Sequence, residues 1–191
     1  MKCLNVVAGV VGLAVMFLFF AGCAALESAR EPSWELRVSA GSEETYIDEE
    51  GRVWLADQEL EEDRLWGAVG GGTVDRGDID IPGTTAPGVY RTERFGMEKY
   101  VFTLSPGTYD VILHFAETWD GIFGPGERVF NVNINERLVL EEFDPFGVSG
   151  GLDIPVVREF KGIETVDGQI VIGFEVQAQN PLINGIEIIG Y

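Results

Sequence analysis

The chain has 191 residues, with 13 basic and 32 acidic side chains and a formal net charge of −19. Such a charge repels phosphates and argues against nucleic acid as a partner; it also argues against an anionic polysaccharide bound without metal, and leaves a neutral glycan compatible. Both cysteines, Cys3 and Cys23, lie near the start and His114 is the single histidine, so beyond Cys23 there are no thiols for disulfides, cysteine nucleophiles or thiolate metal sites, and no multi-histidine zinc site.

The first 22 residues read as a leader: Lys2, an apolar run from Val6 to Phe20, then Ala21-Gly22 ahead of Cys23. Ala21-Gly22-Cys23 resembles a bacterial lipoprotein signal, which implies that Cys23 is lipidated and becomes the new N-terminus. An ordinary signal peptide cut near Ala24 or Ala25, or an uncleaved anchor, are the alternatives. The expected organisation is a signal peptide over 1–22, a lipid-anchored tether over 23–33, and one folded domain over 34–191. Lys2 is the one charged residue of the leader, so the remaining part carries 12 basic and 32 acidic residues, a net charge of −20.

The domain opens with a strand, Glu35 to Ala40, in which Leu36 and Val38 alternate with Arg37 and Ser39. Tyr46-Ile47-Asp48, a Glu49-Glu50-Gly51 turn and Val53 to Asp57 follow. Gln58 to Arg64 reads as one helical turn or a loop, and Trp66 to Gly72 as a flexible glycine-rich stretch. Asp75, Asp78 and Asp80 could hold a structural calcium ion; their spacing does not fit an EF-hand loop, and a solvated acidic loop is the simpler reading. Lys99 to Leu104 and Tyr109 to Thr118 are expected to form a hairpin across Ser105-Pro106-Gly107. In the second of these strands both faces are largely apolar, as in the middle of a sheet. Trp119 and Asp120 sit where it ends, before a glycine loop that mounts them on a rim. Arg128 to Asn135 alternates again, Leu138 to Glu142 returns, and Gly147 to Gly151 reads as a loop. Ile154 to Phe160 and Gln169 to Val176 are further strands, with a hairpin turn at Asp167-Gly168 between their continuations. No helix of three turns is expected. Many short strands with glycine turns make an all-β sandwich.

Six short motifs then appear in a familiar order. They are Ala40-Gly41 with the strands after it, Tyr90-Arg91-Thr92-Glu93-Arg94, His114-Phe115-Ala116-Glu117 with an aromatic, Arg128-Val129-Phe130, Phe143-Asp144, and Pro181-Leu182-Ile183-Asn184-Gly185-Ile186-Glu187-Ile188. Together they resemble the malectin family of carbohydrate-binding domains over nearly all of Glu35 to Tyr191. The resemblance implies a jelly-roll, galactose-binding-like β-sandwich. Asn135-Glu136 stands in place of the family's Asn-Gly turn, so that turn must be built differently.

Sugars are polyols with apolar C–H faces, recognised by stacked aromatic rings and planar polar groups. Trp54, Trp66, Tyr90 and Trp119 stand beside loop signals, and each reads equally as core; Tyr90 and Trp119 stand out because they are loop-mounted. Carried over residue by residue, the resemblance implies a ligand site of Trp54, Tyr90, Trp119 and Asn180, with Asp120 beside Trp119. Asn180 replaces an aspartate of the animal lectin, and Asp120 replaces the second aromatic of a pair. Glu117 is expected to accept hydrogen bonds from backbone or from Arg128, and His114 to be a satisfied core histidine. A glycosidase would need two carboxylates about 5 to 9 Å apart across one bond, which 32 acidic residues make a weak signal. No catalytic residue and no cofactor is therefore assigned. The expected function is a non-catalytic module that binds a neutral oligo- or polysaccharide, anchored to a membrane through Cys23. The alternative is a structural or protein-interaction sandwich that has lost its sugar site.

Overall fold

The computed structural model describes residues 31–191; Cys23 and the leader lie outside the described residues. The fold is an all-β sandwich of two sheets. One sheet has the order β2 (Tyr46–Ile47), β3 (Val53–Ala56), β1 (Trp34–Ser39), β12 (Gly185–Gly190), β6 (Thr108–Phe115) and β9 (Val156–Glu164). The other runs β11 (Leu182–Ile183), β5 (Thr92–Thr103), β10 (Gln169–Ala178), β7 (Val129–Ile134) and β8 (Arg137–Phe143), with β4 (Trp66–Asp75) on β5. The pairings are antiparallel except β1 with β3, where Val38 lies opposite Leu55 in a parallel register. Two five-residue helices interrupt the strands, α1 (Pro87–Arg91) and α2 (Pro145–Ser149). Asp144 caps α2 by accepting the Gly147 backbone N–H, which turns the expected Gly147–Gly151 loop into a helical turn.

The period-2 pattern places the main core between the sheets. Val111, Leu113 and Phe115 of β6 meet Phe130, Val132 and Ile134 of β7 and Ile170, Ile172 and Phe174 of β10. Phe115, Phe130 and Phe143 form a three-ring group with centroids 4.8 to 6.0 Å apart. The other face of β6 is covered as well. A second cluster of Trp54, Ile81, Ala86, Val89, Tyr90 and Ala116 packs beside it, which accounts for the two apolar faces of that strand.

Two hairpins expected from turn chemistry are corrected. Ser105-Pro106-Gly107 links β5 to β6, but these strands belong to different sheets, and β6 pairs with β12 and β9. Asp167 and Gly168 adopt left-handed φ values of 51° and 73° and close a tight turn between Val166 and Gln169. Beyond that single bridge β9 and β10 separate into opposite sheets. A turn signal fixes the reversal of the chain, whereas burial of both strands' apolar faces decides the partner. Asn135 and Glu136 form the β7–β8 turn with φ 49° and 64°, values that usually call for glycine. Asn135 is held there by its amide, which donates to the Glu164 carbonyl and accepts from the Val171 N–H.

The stretch Trp66–Gly72 is a strand and not a flexible loop. Its glycines answer to space. A Cβ on Gly67 would lie 2.5 Å from the Leu60 backbone nitrogen, because residues 58–60 cross β4 here, with Leu60 N–H donating to Ala68 and Ala68 N–H to Gln58. Gly67→Val should therefore destabilise the domain by about 1–3 kcal/mol through overpacking. Urea denaturation reads this, and an unchanged midpoint would show that the crossing segment yields freely.

Candidate functional site

Four separated segments converge at the end of β6. They are the end of β4 (Val74 and, just beyond it, Arg76), the start of β5 (Glu93 and Phe95), the exit of β6 (Glu117 to Trp119, with Arg128 opposite), and the turn before β11 (Gln179 and Asn180). Val74, Arg76, Glu93, Phe95, Trp119, Arg128, Gln179 and Asn180 line a cleft of about 270 Å³. Val74, Phe95 and Trp119 supply its apolar wall. The half-buried Trp119 ring lies against backbone, since a Cβ on Gly121 would come within 2.4 Å of its Cε2, and the Arg128 guanidinium lies 5.8 Å from the ring centroid.

The charges under the cleft are paired. Arg128 Nε donates to Glu117 Oε2 at 2.5 Å, and both side chains are buried. Arg128 Nη1 also donates to the Asn180 carbonyl. Glu117 Oε1 accepts the Trp119 backbone N–H at 3.1 Å, so the expected structural role of Glu117 is what the geometry displays. Beside it, Arg76 Nη2 donates to Glu93 Oε1 at 2.8 Å, and the Thr118 hydroxyl donates to Glu93 Oε2 at 2.8 Å. Two arginines thus face two buried glutamates, and the floor carries no net charge.

The five residues expected to bind ligand do not share one surface. Trp119 and the exposed Asn180 meet at the cleft. Asp120 is exposed on the adjoining loop and is not among the residues lining the cleft. Trp54 and Tyr90 are corrected to the core, with relative exposures of 0% and 2%. The Trp54 indole N–H donates to Asp48 Oδ2 at 3.0 Å, and its ring packs edge-on against His114. The Tyr90 hydroxyl pairs with His114 Nδ1 at 2.7 Å, and His114 Nε2 with Glu187 Oε1 at 2.8 Å; Arg37 donates to the other oxygen of Glu187. Burial pushes the Tyr90 phenol well above its usual range. Their loop-side positions in the sequence concealed this because α1 folds Tyr90 back onto β6. Trp66 is half-buried and stacks on Phe102 at the opposite end of the sandwich.

Glu93 and Arg128 fall within family-like motifs yet carried no site assignment. Arg76, Phe95 and Gln179 had no sequence signal, since their proximity arises from contacts across roughly 100 positions. Among the described residues no group of three or more His, Cys, Asp or Glu side chains is placed to hold a metal ion. Asp78 pairs with Arg91 at 2.8 Å, and Asp75 accepts the Gly77 N–H.

The malectin domain family model matches residues 35–189. The chain belongs to the malectin domain family. This family is a binding domain of carbohydrate-binding type. Curated relatives include a kinesin-like protein, KIN-14E, of Oryza sativa subsp. japonica, 32% identical over 125 residues, covering 61% of this chain and 12% of the relative. Another is a probable receptor-like protein kinase of Arabidopsis thaliana, 36% identical over 70 residues, covering 36% of this chain and 8% of the relative. The chain thus spans only a small part of these relatives' length. Among solved structures, Bacteroides uniformis β-glucuronidase superposes with a TM-score of 0.74 at 26% identity, covering 83% of this chain and 18% of that one. The ANXUR2 extracellular domain of Arabidopsis thaliana does so at 0.67 and 22%, covering 81% and 48%, which speaks for the fold alone.

Burial opposes ionisation of Asp48, but hydrogen bonds from the Trp54 indole and from the Arg52 backbone and guanidinium outweigh it and hold its pKa at about 2. A carboxyl with a depressed folded pKa adds stability that is present above its unfolded value near 3.8 and lost as pH falls through the folded one. Between about pH 4 and pH 2 the domain should lose about 2 kcal/mol from this group. Asp48→Asn should remove that share of the acid-induced loss, measured as the difference in urea stability between pH 5 and pH 2; an unaltered pH profile in the variant would contradict the assignment.

Proposed function

We propose that this malectin domain binds a neutral oligo- or polysaccharide in the Trp119 cleft without cleaving it. The observation that carries the reading is the make-up of that cleft. An aromatic and aliphatic wall faces the planar amides of Gln179 and Asn180, over charges that cancel within the protein. A sugar's C–H face suits the wall and its hydroxyls suit the amides. An anionic sugar would meet no excess positive charge in a chain of formal net charge −19. Glu93 and Glu117 are the carboxylates under the cleft, and arginines already engage both, so neither is a free acid or base for glycoside cleavage. Hydroxyl recognition of this kind requires no cofactor.

One observation favours protein interaction as a second reading. Phe123 is 82% exposed on the loop that follows Trp119, while its neighbour Ile122 is buried and pins the loop. A structural neighbour with 20% identity and a TM-score of 0.67 was solved as the plant peptide RALF23 in complex with FER and LLG2. A peptide or protein ligand at this loop would use Phe123 as an anchor.

We further propose that the protein is held at a bacterial cell envelope through a lipidated Cys23. The geometry supports an outward-facing site. The chain enters at Ser33, whose N–H donates to Gly190, and Trp34 lies opposite Gly190, itself opposite Tyr109 near the start of β6. Trp119 lies just past the other end of the same strand. An anchored N-terminus therefore leaves the cleft on the side away from the membrane.

Trp119→Ala should weaken binding of a recognised glycan by about 1–3 kcal/mol, as expected for a lost stacking contact. Calorimetry with a neutral glycan selected on an array measures this. Because Trp119 is half-buried against Gly121, the melting temperature should fall but the fold should survive; unchanged affinity with a collapsed melting temperature would assign Trp119 to the core. Cys23→Ala should leave the protein unprocessed or release it to the soluble fraction, since several acyl chains anchor firmly where one does not. Mass spectrometry of the wild-type protein free of lipid would refute the anchor.

A further inference from the structure

We infer that Gln179, acting with Arg76, is a specificity-determining residue of the cleft that reads two adjacent hydroxyls on a neutral pyranose lying against Trp119. The inference rests on the glycan reading of that cleft. Gln179 adopts φ 56°, a left-handed conformation that is unfavourable for a residue with a Cβ. Glycine would fill such a corner without strain, and the residue that stands there is a glutamine with a polar amide. That side chain lines the cleft. Its Oε1 accepts the backbone N–H of Asn180 at 3.1 Å, which fixes the amide plane and leaves Nε2 without a protein partner among the described residues.

The corner is rigid. Arg128 Nη1 donates to the Asn180 carbonyl, and the Gly96 N–H donates to the Pro181 carbonyl at 2.9 Å. On the facing wall, Arg76 spends Nε on Thr118 at 3.3 Å and Nη2 on Glu93 at 2.8 Å. Its Nη1 has no partner among the described residues, although the side chain lines the cleft and is only partly exposed. The cleft thus holds two unspent donors on fixed supports. Neighbouring hydroxyls of one sugar ring can each accept one of them, while a ring lacking either hydroxyl forgoes one of these bonds at the exposed rim of the cleft.

The test compares the wild-type full-length protein with Gln179→Gly and Gln179→Asn. The probe is an array of neutral trisaccharides with α-1,4, β-1,4 and β-1,3 linkages, followed by calorimetry on the strongest binder and its monodeoxy analogues. Gln179→Gly should keep or raise the melting temperature, because strain is relieved, and should bind about tenfold more weakly. It should also lose discrimination against one deoxy analogue, which a purely structural glutamine would not alter. Gln179→Asn tolerates the left-handed backbone but shortens the reach of the amide, so it should show the same loss of affinity with an unchanged fold, whether or not the glycine variant folds. Wild-type affinity and selectivity in either folded variant would overturn the inference and leave the glycan reading standing. Failure of the wild-type protein to bind any of the array would overturn both.

Discussion

The side chain of Asn184 joins the segments on which the binding end of this domain depends. It is fully buried. Its Oδ1 accepts the Ala116 N–H at 2.7 Å, and its Nδ2 donates to the carbonyls of Thr92 at 2.8 Å and Tyr90 at 3.3 Å. Its backbone N–H donates to His114, and its carbonyl accepts from Ala40. One residue therefore ties together the exit of β6, the junction of α1 with β5, the closing strand and the end of β1. Buried backbone groups left unpaired are costly, and strands that leave a sheet expose several of them at once. Asn184 satisfies these groups where β6 stops, and so allows the chain to turn outward and present Trp119.

Around that tie, charge is organised in buried pairs, two of which extend to exposed glutamates, Arg37 to Glu35 and Arg94 to Glu59. Glu117 pairs with Arg128 across the loop that follows β6, while Glu93 with Arg76, Asp57 with Arg94, and Glu187 with Arg37 join segments further apart in sequence. Such pairs contribute little net stability over apolar packing, but losing one partner strands a buried charge. Their value here is positional. Arg128 links the β6 exit to the turn before β11 through Glu117 and the Asn180 carbonyl, so the two walls of the cleft are tied together. The strongly acidic remainder of the domain lies on its surface, where it favours solubility, and the cleft stays electrically neutral.

The strand directions give the molecule two distinct ends. Trp34, the β5–β6 connection and both ends of the described chain gather at one, and the cleft lies at the other. The same separation would suit a module joined to further protein at its termini, since neither attachment crosses the cleft.

The sequence by itself determined that the domain is all-β and where most strands run, because period-2 burial and glycine turns are local and leave a local record; its six ordered motifs carried the resemblance to the malectin family, which the family match bears out. It also determined that Glu117 and His114 would be internal groups with hydrogen-bond partners, since each lies within an apolar strand or at its end. Only the tertiary structure decided which strands pair, since a turn reverses the chain without choosing its sheet, and so β5 and β6 part at Ser105-Pro106-Gly107. The glycines of β4 looked like flexibility from composition and proved to be room for a crossing backbone. Tyr90 looked like a rim aromatic because a loop precedes it, and Trp54 entered the expected site through the family resemblance; packing against His114 made both core. Arg76, Phe95 and Gln179 entered the cleft through contacts between distant segments, and no spacing along the chain records such a meeting.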